Sequence, residues 1–187
     1  MRVDAVDPAD LSAAQQPLYD LYTTGRRVAP GSPFTLVDAD GRLQGPAAIW
    51  ITHPTFGTAL QQLGSTVRWE SALPVRAREI AILLVGHHHE SAFELYAHRL
   101  AGAAAGLTPD DLTALSEGTE PAEATEVESC VFRTTASMLR NRTLTDDEFR
   151  DATTVLGAPG LLELTTIVGY YNLVALQLAV FDVQPPA

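Results

Sequence analysis

Along most of this chain apolar side chains return every three or four residues, the period of a helix with one buried side. That spacing predicts a helix over residues 8–27, with Leu11, Ala14, Leu18, Leu21 and Tyr22 on its apolar side. Asp7 is its expected N-cap, Pro8 its first helical residue, and Gly25 with Arg26 and Arg27 its end. Residues 28–45 are rich in proline and glycine and read as a loop with a turn at Asp40-Gly41; Phe34, Leu36 and Val37 form a short strand there or pack down. Two helical pieces follow, 46–52 and 54–69, broken at His53 because the residue before a proline is pushed out of the α region. Further on, Thr108-Pro109-Asp110-Asp111 opens a short helix with a capping threonine, residues 117–126 form an acidic surface loop, and 127–140 form a helix. Thr145 to Glu148 form a second capping box, opening a helix that Gly157 and Pro159 stop. Residues 161–180 are apolar on nearly all sides, which suits burial in a protein or an oligomer. They are long enough to span a bilayer, but Glu163, Asn172 and Gln177 are spread along them and basic flanks are missing, so no membrane association is expected. The expected fold class is all-α.

The stretch 78–106 breaks this pattern. Two helical segments meet there at a polar joint, GHHHES, and apolar neighbours surround Glu79, His87, His88, His89, Glu90, Glu94 and His98. Ionisable groups among apolar neighbours are costly unless partnered, and clusters of them are where shifted pKa values and acid/base chemistry occur. If a helix starts near Ser91, then Ser91, Glu94 and His98 fall within an arc of roughly 60°. Glu94 and His98 are an i,i+4 pair, and Glu79 can approach His98 if the two segments fold back at the histidines.

Arg78-Glu79-Ile80-Ala81-Ile82-Leu83 followed by His98 nineteen residues after Glu79 resembles the carboxymuconolactone decarboxylase superfamily, which includes the alkylhydroperoxidase D type. Its pattern is a glutamate in such a helix, a Cys-x-x-Cys at the start of the next, and a histidine four residues after the second cysteine. Here the two cysteine positions hold Ser91 and Glu94. The likeness extends to residues 45–79, to 105–115 and to 169–172. It implies an alkylhydroperoxidase D-like helical bundle over 1–187, with 1–45 an N-terminal helix and loop extension. It also implies a homo-oligomer, trimeric or hexameric, with the last helix partly at the interface. In the family the loop corresponding to residues 28–45 runs toward the pocket, which places Phe34 there.

Composition removes some functions. The chain has one cysteine, Cys130, so a peroxidase that needs two thiols is excluded, and no intrachain disulfide forms; this fits a cytoplasmic protein. With 12 basic and 23 acidic residues the net charge is −11, which repels nucleic-acid phosphates and anionic membranes. No signal peptide is evident at the N-terminus. The 187 residues suit one domain, and 46% hydrophobic content suits a real core.

Acid/base equipment remains. The leading expectation is a cofactor-free lyase, decarboxylase-like, or an isomerase acting on a small carboxylated, lactone or enolisable compound. His98 is the expected base or acid, oriented by Glu79. Glu94 is a second proton carrier whose pKa burial raises. Ser91 is a donor at the helix N-terminus. His88, Phe34, Trp50, His53 and Tyr170 are candidate substrate contacts. A decarboxylation also needs a cation near the substrate, and Arg76, Arg78 and Arg99 lie nearby in sequence. Two other readings stay open. One is a buried polar network, or ligand-binding pocket, without chemistry. The other is a metal enzyme using the histidine cluster; three adjacent helical histidines point apart and match no zinc motif, so no metal ligand is assigned.

Overall fold

Pro17 decides how the chain begins. Inside the helix expected over 8–27 it has no N–H to give, and its ring crowds the carbonyl four residues back. In the computed structural model, which describes residues 1–24 and 33–186, the segment is split accordingly. Asp7 caps the Ala9 amide of a 3-10 turn at Pro8–Asp10. A break follows, in which Gln15 Oε1 accepts from both the backbone N and the Oγ of Ser12. Helix α1 (Gln16–Thr23) then starts with the proline in its first turn and buries Leu18 and Tyr22. The expected helix end at Gly25, Arg26 and Arg27 lies outside the described residues. Beyond it, Val37 makes an isolated antiparallel bridge to Leu43 across the Asp40-Gly41 turn, and no strand forms among the described residues.

Helices α2 (Pro46–Trp50) and α3 (Pro54–Trp69) each carry a proline in the first turn, and they separate at His53 as expected. Helix α4 (Val75–His88) begins earlier than its motif, after Pro74. Ten successive residues of it, Ala77 to Gly86, are buried, so this helix is covered on every side. Helix α5 (Ala92–Ala104) folds back along it through His89, Glu90 and Ser91. Glu90 takes a positive φ of 51°, and the Ser91 amide donates to the Gly86 carbonyl at 2.9 Å, which closes the joint.

Three further helices complete the bundle: α6 (Pro109–Ser116), α7 (Glu126–Asn141) and α8 (Asp146–Val180). Each opens on a reciprocal capping box, built by Thr108 with Asp111, Thr125 with Glu128, and Thr145 with Glu148. The middle box was not anticipated. At Gly157 the chain takes φ 69°, ψ 166°, a conformation glycine reaches without Cβ strain. Pro159 stands just past that break, so the expected stop is a sharp kink between two nearly continuous helical segments. Helices α5, α7 and α8 pack around α4. Glu163 of α8 accepts from Ser71 Oγ at 2.6 Å and from the Ala72 amide at 2.9 Å, fixing the lead into α4. The apolar second half of α8 is not buried all round: Leu164, Ile167, Tyr171 and Val174 face the core, while Leu162, Leu173, Leu176 and Val180 are exposed. By length and composition α8 is the one helix among the described residues that could cross a bilayer.

Candidate functional site

Helices α4 and α5 bring Glu79 and His98 together. Nδ1 of His98 donates to Oε2 of Glu79 at 2.7 Å, and both side chains are buried. That bond fixes the ring and leaves Nε2 as the open nitrogen. Phe34 packs obliquely on the His98 ring, and Tyr171 meets it edge-on at 4.9 Å between centroids. Burial pushes the Tyr171 phenol up, so it stays protonated.

Glu94 lies one turn before His98 on α5 and is treated differently. The residue is 3% exposed, and neither carboxylate oxygen has a hydrogen-bond partner. Burial pushes its pKa up to about 8, with Ser91 nearby pulling the other way. Ser91 is the N-cap of α5, but its Oγ makes no capping bond and is itself buried without a partner. A carboxyl group in such a place is neutral near pH 7 and has a proton to give.

Glu94 and His98 face a cavity of about 40 Å³ whose other walls include Phe34, Trp50, Phe93, Tyr170 and Tyr171. It has room for a water or a few ligand atoms. Trp50 is held there by its Nε1, which donates to Gln177 Oε1 at 2.8 Å. Tyr170 reaches the wall because residue 64 is glycine: a Cβ at Gly64 would stand 2.3 Å from the Tyr170 hydroxyl. Phe34, Trp50 and Tyr170, expected as substrate contacts, therefore line the same space as Glu94 and His98.

His88 and His53 do not. His88 ends α4 and borders an open groove of about 810 Å³ with Leu162, Val168 and Asn172, outside the Glu94 cavity. His53, exposed at the start of α3, packs edge-on against Phe56. His87 is half-buried, with its pKa lowered by burial and by Arg99, and His89 bonds Asn172. Among the described residues no three His, Cys, Asp or Glu side chains converge as a metal site. Cys130 packs with Ala152 and Leu161 in a separate cluster.

Sequence reasoning missed Arg68. It stands at the end of α3 and lines the cavity beside Glu94 and His98. The arginines it had considered are placed otherwise. Arg76 is paired with Asp111 and Glu128, Arg78 is buried with Nη1 donating to the Val67 carbonyl, and Arg99 is exposed. The one sign in the sequence was a cation set between Val67 and Trp69 in an apolar helix face.

Residues 54–135 match the carboxymuconolactone decarboxylase family, a span that holds Arg68, Glu79, Ser91, Glu94 and His98. Over that span the chain resembles the carboxymuconolactone decarboxylase family. Solved structures agree on the fold. A protein of unknown function from Agrobacterium tumefaciens, linked by name to AhpD antioxidant defence, superposes with a TM-score of 0.67 at 18% identity, covering 74% of this chain and 96% of its own. The debrominase Bmp8 in complex with 2,3,4-tribromopyrrole gives 0.75 at 12% identity, covering 100% and 92%. An uncharacterised peroxidase-related protein from Silicibacter sp. TM1040 gives 0.74 at 14%, with the same coverage. No curated protein matches by sequence. The expected all-α, alkylhydroperoxidase D-like bundle is thus the observed architecture, and a shared fold at these identities does not fix a reaction. Phe34, Trp50, Tyr170 and Tyr171 lie outside the family-matched span.

Proposed function

We propose that this protein, which resembles the carboxymuconolactone decarboxylase family over residues 54–135, is a cofactor-free acid/base enzyme, a lyase of the decarboxylase type or an isomerase, acting on a small carboxylated, lactone or enolisable compound. The observation that carries this reading is Glu94: a buried, unpartnered carboxyl beside the Glu79–His98 pair, both facing one aromatic-walled cavity. An unsatisfied buried group costs stability, and such a cost is retained where the group meets a ligand. The two groups divide the work. His98, oriented by Glu79, takes a proton through Nε2 from carbon next to a carbonyl. Glu94, protonated near neutral pH, returns a proton to the dienolate-like intermediate. The aromatic walls exclude water and hold the planar intermediate.

The test is proton exchange. Small lactones, enones and unsaturated carboxylates are incubated in D₂O with the protein and followed by NMR for deuterium incorporation, isomerisation or loss of CO₂. Activity on a panel member should fall roughly 10²- to 10⁴-fold in His98→Ala and in Glu94→Gln, the usual worth of a positioned acid or base. Wild-type turnover that survives Glu94→Gln would sink the assigned roles.

We also propose that the exposed α8 side chains Leu162, Leu173, Leu176 and Val180 are covered by further copies of the chain. Light scattering after chromatography should show an assembly, and Leu176→Glu should dissociate it; a wild-type monomer would end that idea.

A further inference from the structure

The chain carries a net charge of −11, so an anionic ligand is repelled by most of its surface and needs a local cation. Arg68 is placed to be that cation. Among the described residues no carboxylate is paired with it, and its buried Nε has no partner. Its guanidinium rests instead on aromatic faces, 5.8 Å from the Phe34 centroid and 5.9 Å from that of Trp69. Cation–π contacts of this kind are worth about 1 kcal/mol and leave the N–H edge available.

Arg68 also borders two spaces. On its inner side is the cavity with Glu94 and His98; on its outer side is a groove of about 290 Å³ that also includes Arg78, Glu79 and Tyr171. Arg68 and Tyr171 belong to both linings. Arg78, buried and bonded to a carbonyl, holds a pKa lowered chiefly by burial; neighbouring Glu79 and Tyr171 offset part of that, and Arg68, a like charge, adds a smaller repulsion. A bound carboxylate relieves that repulsion and satisfies the open guanidinium edge together.

We propose that Arg68 is the anion anchor of this site, and that its ligands are small planar monocarboxylates, unsaturated or aromatic. The carboxylate meets Arg68 where groove and cavity adjoin; the planar body lies along the groove against Tyr171, and only its leading edge, the few atoms the cavity admits, faces Phe34 and Tyr170. This deepens the acid/base reading and rests on it for the direction in which the ligand points. The anchor itself is tested without turnover.

The experiment is calorimetric titration of the wild-type protein with benzoate and with its neutral counterpart benzamide, at low and at high salt. Benzoate should bind more tightly, and its affinity should fall with salt while that of benzamide does not. Arg68→Met keeps the apolar stem over Phe34 and should weaken benzoate roughly 10- to 100-fold, with benzamide changed less than about twofold. Arg68→Lys should recover part of the loss. Equal binding of the two probes to the wild type, or wild-type benzoate affinity in a folded Arg68→Met, overturns the proposal and leaves Arg68 a packing residue. If benzoate affinity follows Arg68 while no panel compound exchanges protons, the anchor stands and the acid/base reading falls.

Discussion

Arg76 and Glu79 are one turn apart on α4, and each belongs to a buried ionic cluster of a different kind. Arg76 pairs with Asp111 at 2.9 Å and with Glu128. Those acids are also the third residues of the capping boxes of α6 and α7, so each carboxylate accepts from a backbone amide as well. Burial pushes both acids up, but the Thr108 and Thr125 amides and the Arg76 guanidinium outweigh it, and both settle below the usual range. Around Glu79 the accounting is incomplete. Its partner His98 has an open nitrogen, and neither the Glu94 oxygens nor Ser91 Oγ has a partner at hydrogen-bond geometry, the nearby Ser91 hydroxyl offsetting only part of the burial of Glu94. The first cluster joins three helices and is closed. The second is unfinished, and it borders the aromatic cavity. Burial of charge alone does not mark a site; what separates these clusters is whether every polar atom is already answered.

The sharpest consequence is that the two clusters respond to pH in opposite directions. Glu94 is raised from 4.5 to about 8 on folding. The folded chain therefore holds its proton after the unfolded chain has lost it. Stability is greatest below about pH 4.5, declines as pH rises and levels off above about pH 8. At about 1.4 kcal/mol per unit, the span allows a loss of up to roughly 4–5 kcal/mol. Glu94→Gln keeps the shape and removes the titration, so urea unfolding from pH 5 to 9 should show the variant gaining on the wild type as pH rises. Parallel pH curves for the two proteins would mean that Glu94 is not buried neutral.

Asp111 and Glu128 work the other way. Their stabilisation is present above their unfolded pKa values and is lost as pH falls through the depressed folded ones. Arg76→Met strands two buried carboxylates, and about 3 kcal/mol should be lost at pH 7. The acid limb of the stability curve should also flatten. Ligand affinity at the cavity, compared below the shifted melting temperature, should stay within about twofold, because Arg76 does not line that space.

Gly64→Ala acts on the open cluster alone. The new methyl meets the Tyr170 hydroxyl and pushes that ring toward the cavity. Overpacking of this kind costs about 1–3 kcal/mol, and here it should also abolish detectable benzoate binding. Unchanged binding would show that the Tyr170 wall is not where a ligand sits.

How much of this was legible beforehand depends on distance along the chain. Glu79, Glu94 and His98 sit on two consecutive helices joined by three residues, so spacing alone could bring them together. Arg68 could not be found that way, because α3 reaches the site through the bundle's packing and sequence proximity pointed to Arg76, Arg78 and Arg99. His88 shows the converse failure: it is close to the motif in number, but the helix turns it toward the α8 groove. Helix ends were legible where a cap or a proline was noticed at 46, 54, 109 and 145. The N-terminal helix was misread because the apolar spacing of Leu11, Ala14 and Leu18 persists across Pro17, where the backbone cannot follow it. The Gly157 break was correctly located, but the helical path on either side is nearly continuous because Pro159 stands where its missing N–H does no harm.

The smallest expected effect comes from a third ion pair, which isolates burial from pairing. Arg150 Nη1 meets Asp147 Oδ1 at 2.8 Å, as close as Arg76 comes to Asp111 at 2.9 Å, yet the two side chains are 69% and 84% exposed. Water already satisfies both groups, and salt screens what attraction remains. Arg150→Ala should change stability by less than about 0.5 kcal/mol, against about 3 for Arg76→Met. Raising the salt to 1 M should erase even that difference while leaving the Arg76 effect largely intact. Chemical denaturation of the two variants side by side reads both numbers. Should the exposed pair prove as costly to break as the buried one, distance would be the quantity that matters. The orphaned oxygens of Glu94 would then carry no special meaning, and the contrast between the closed and the open cluster would lose its physical basis.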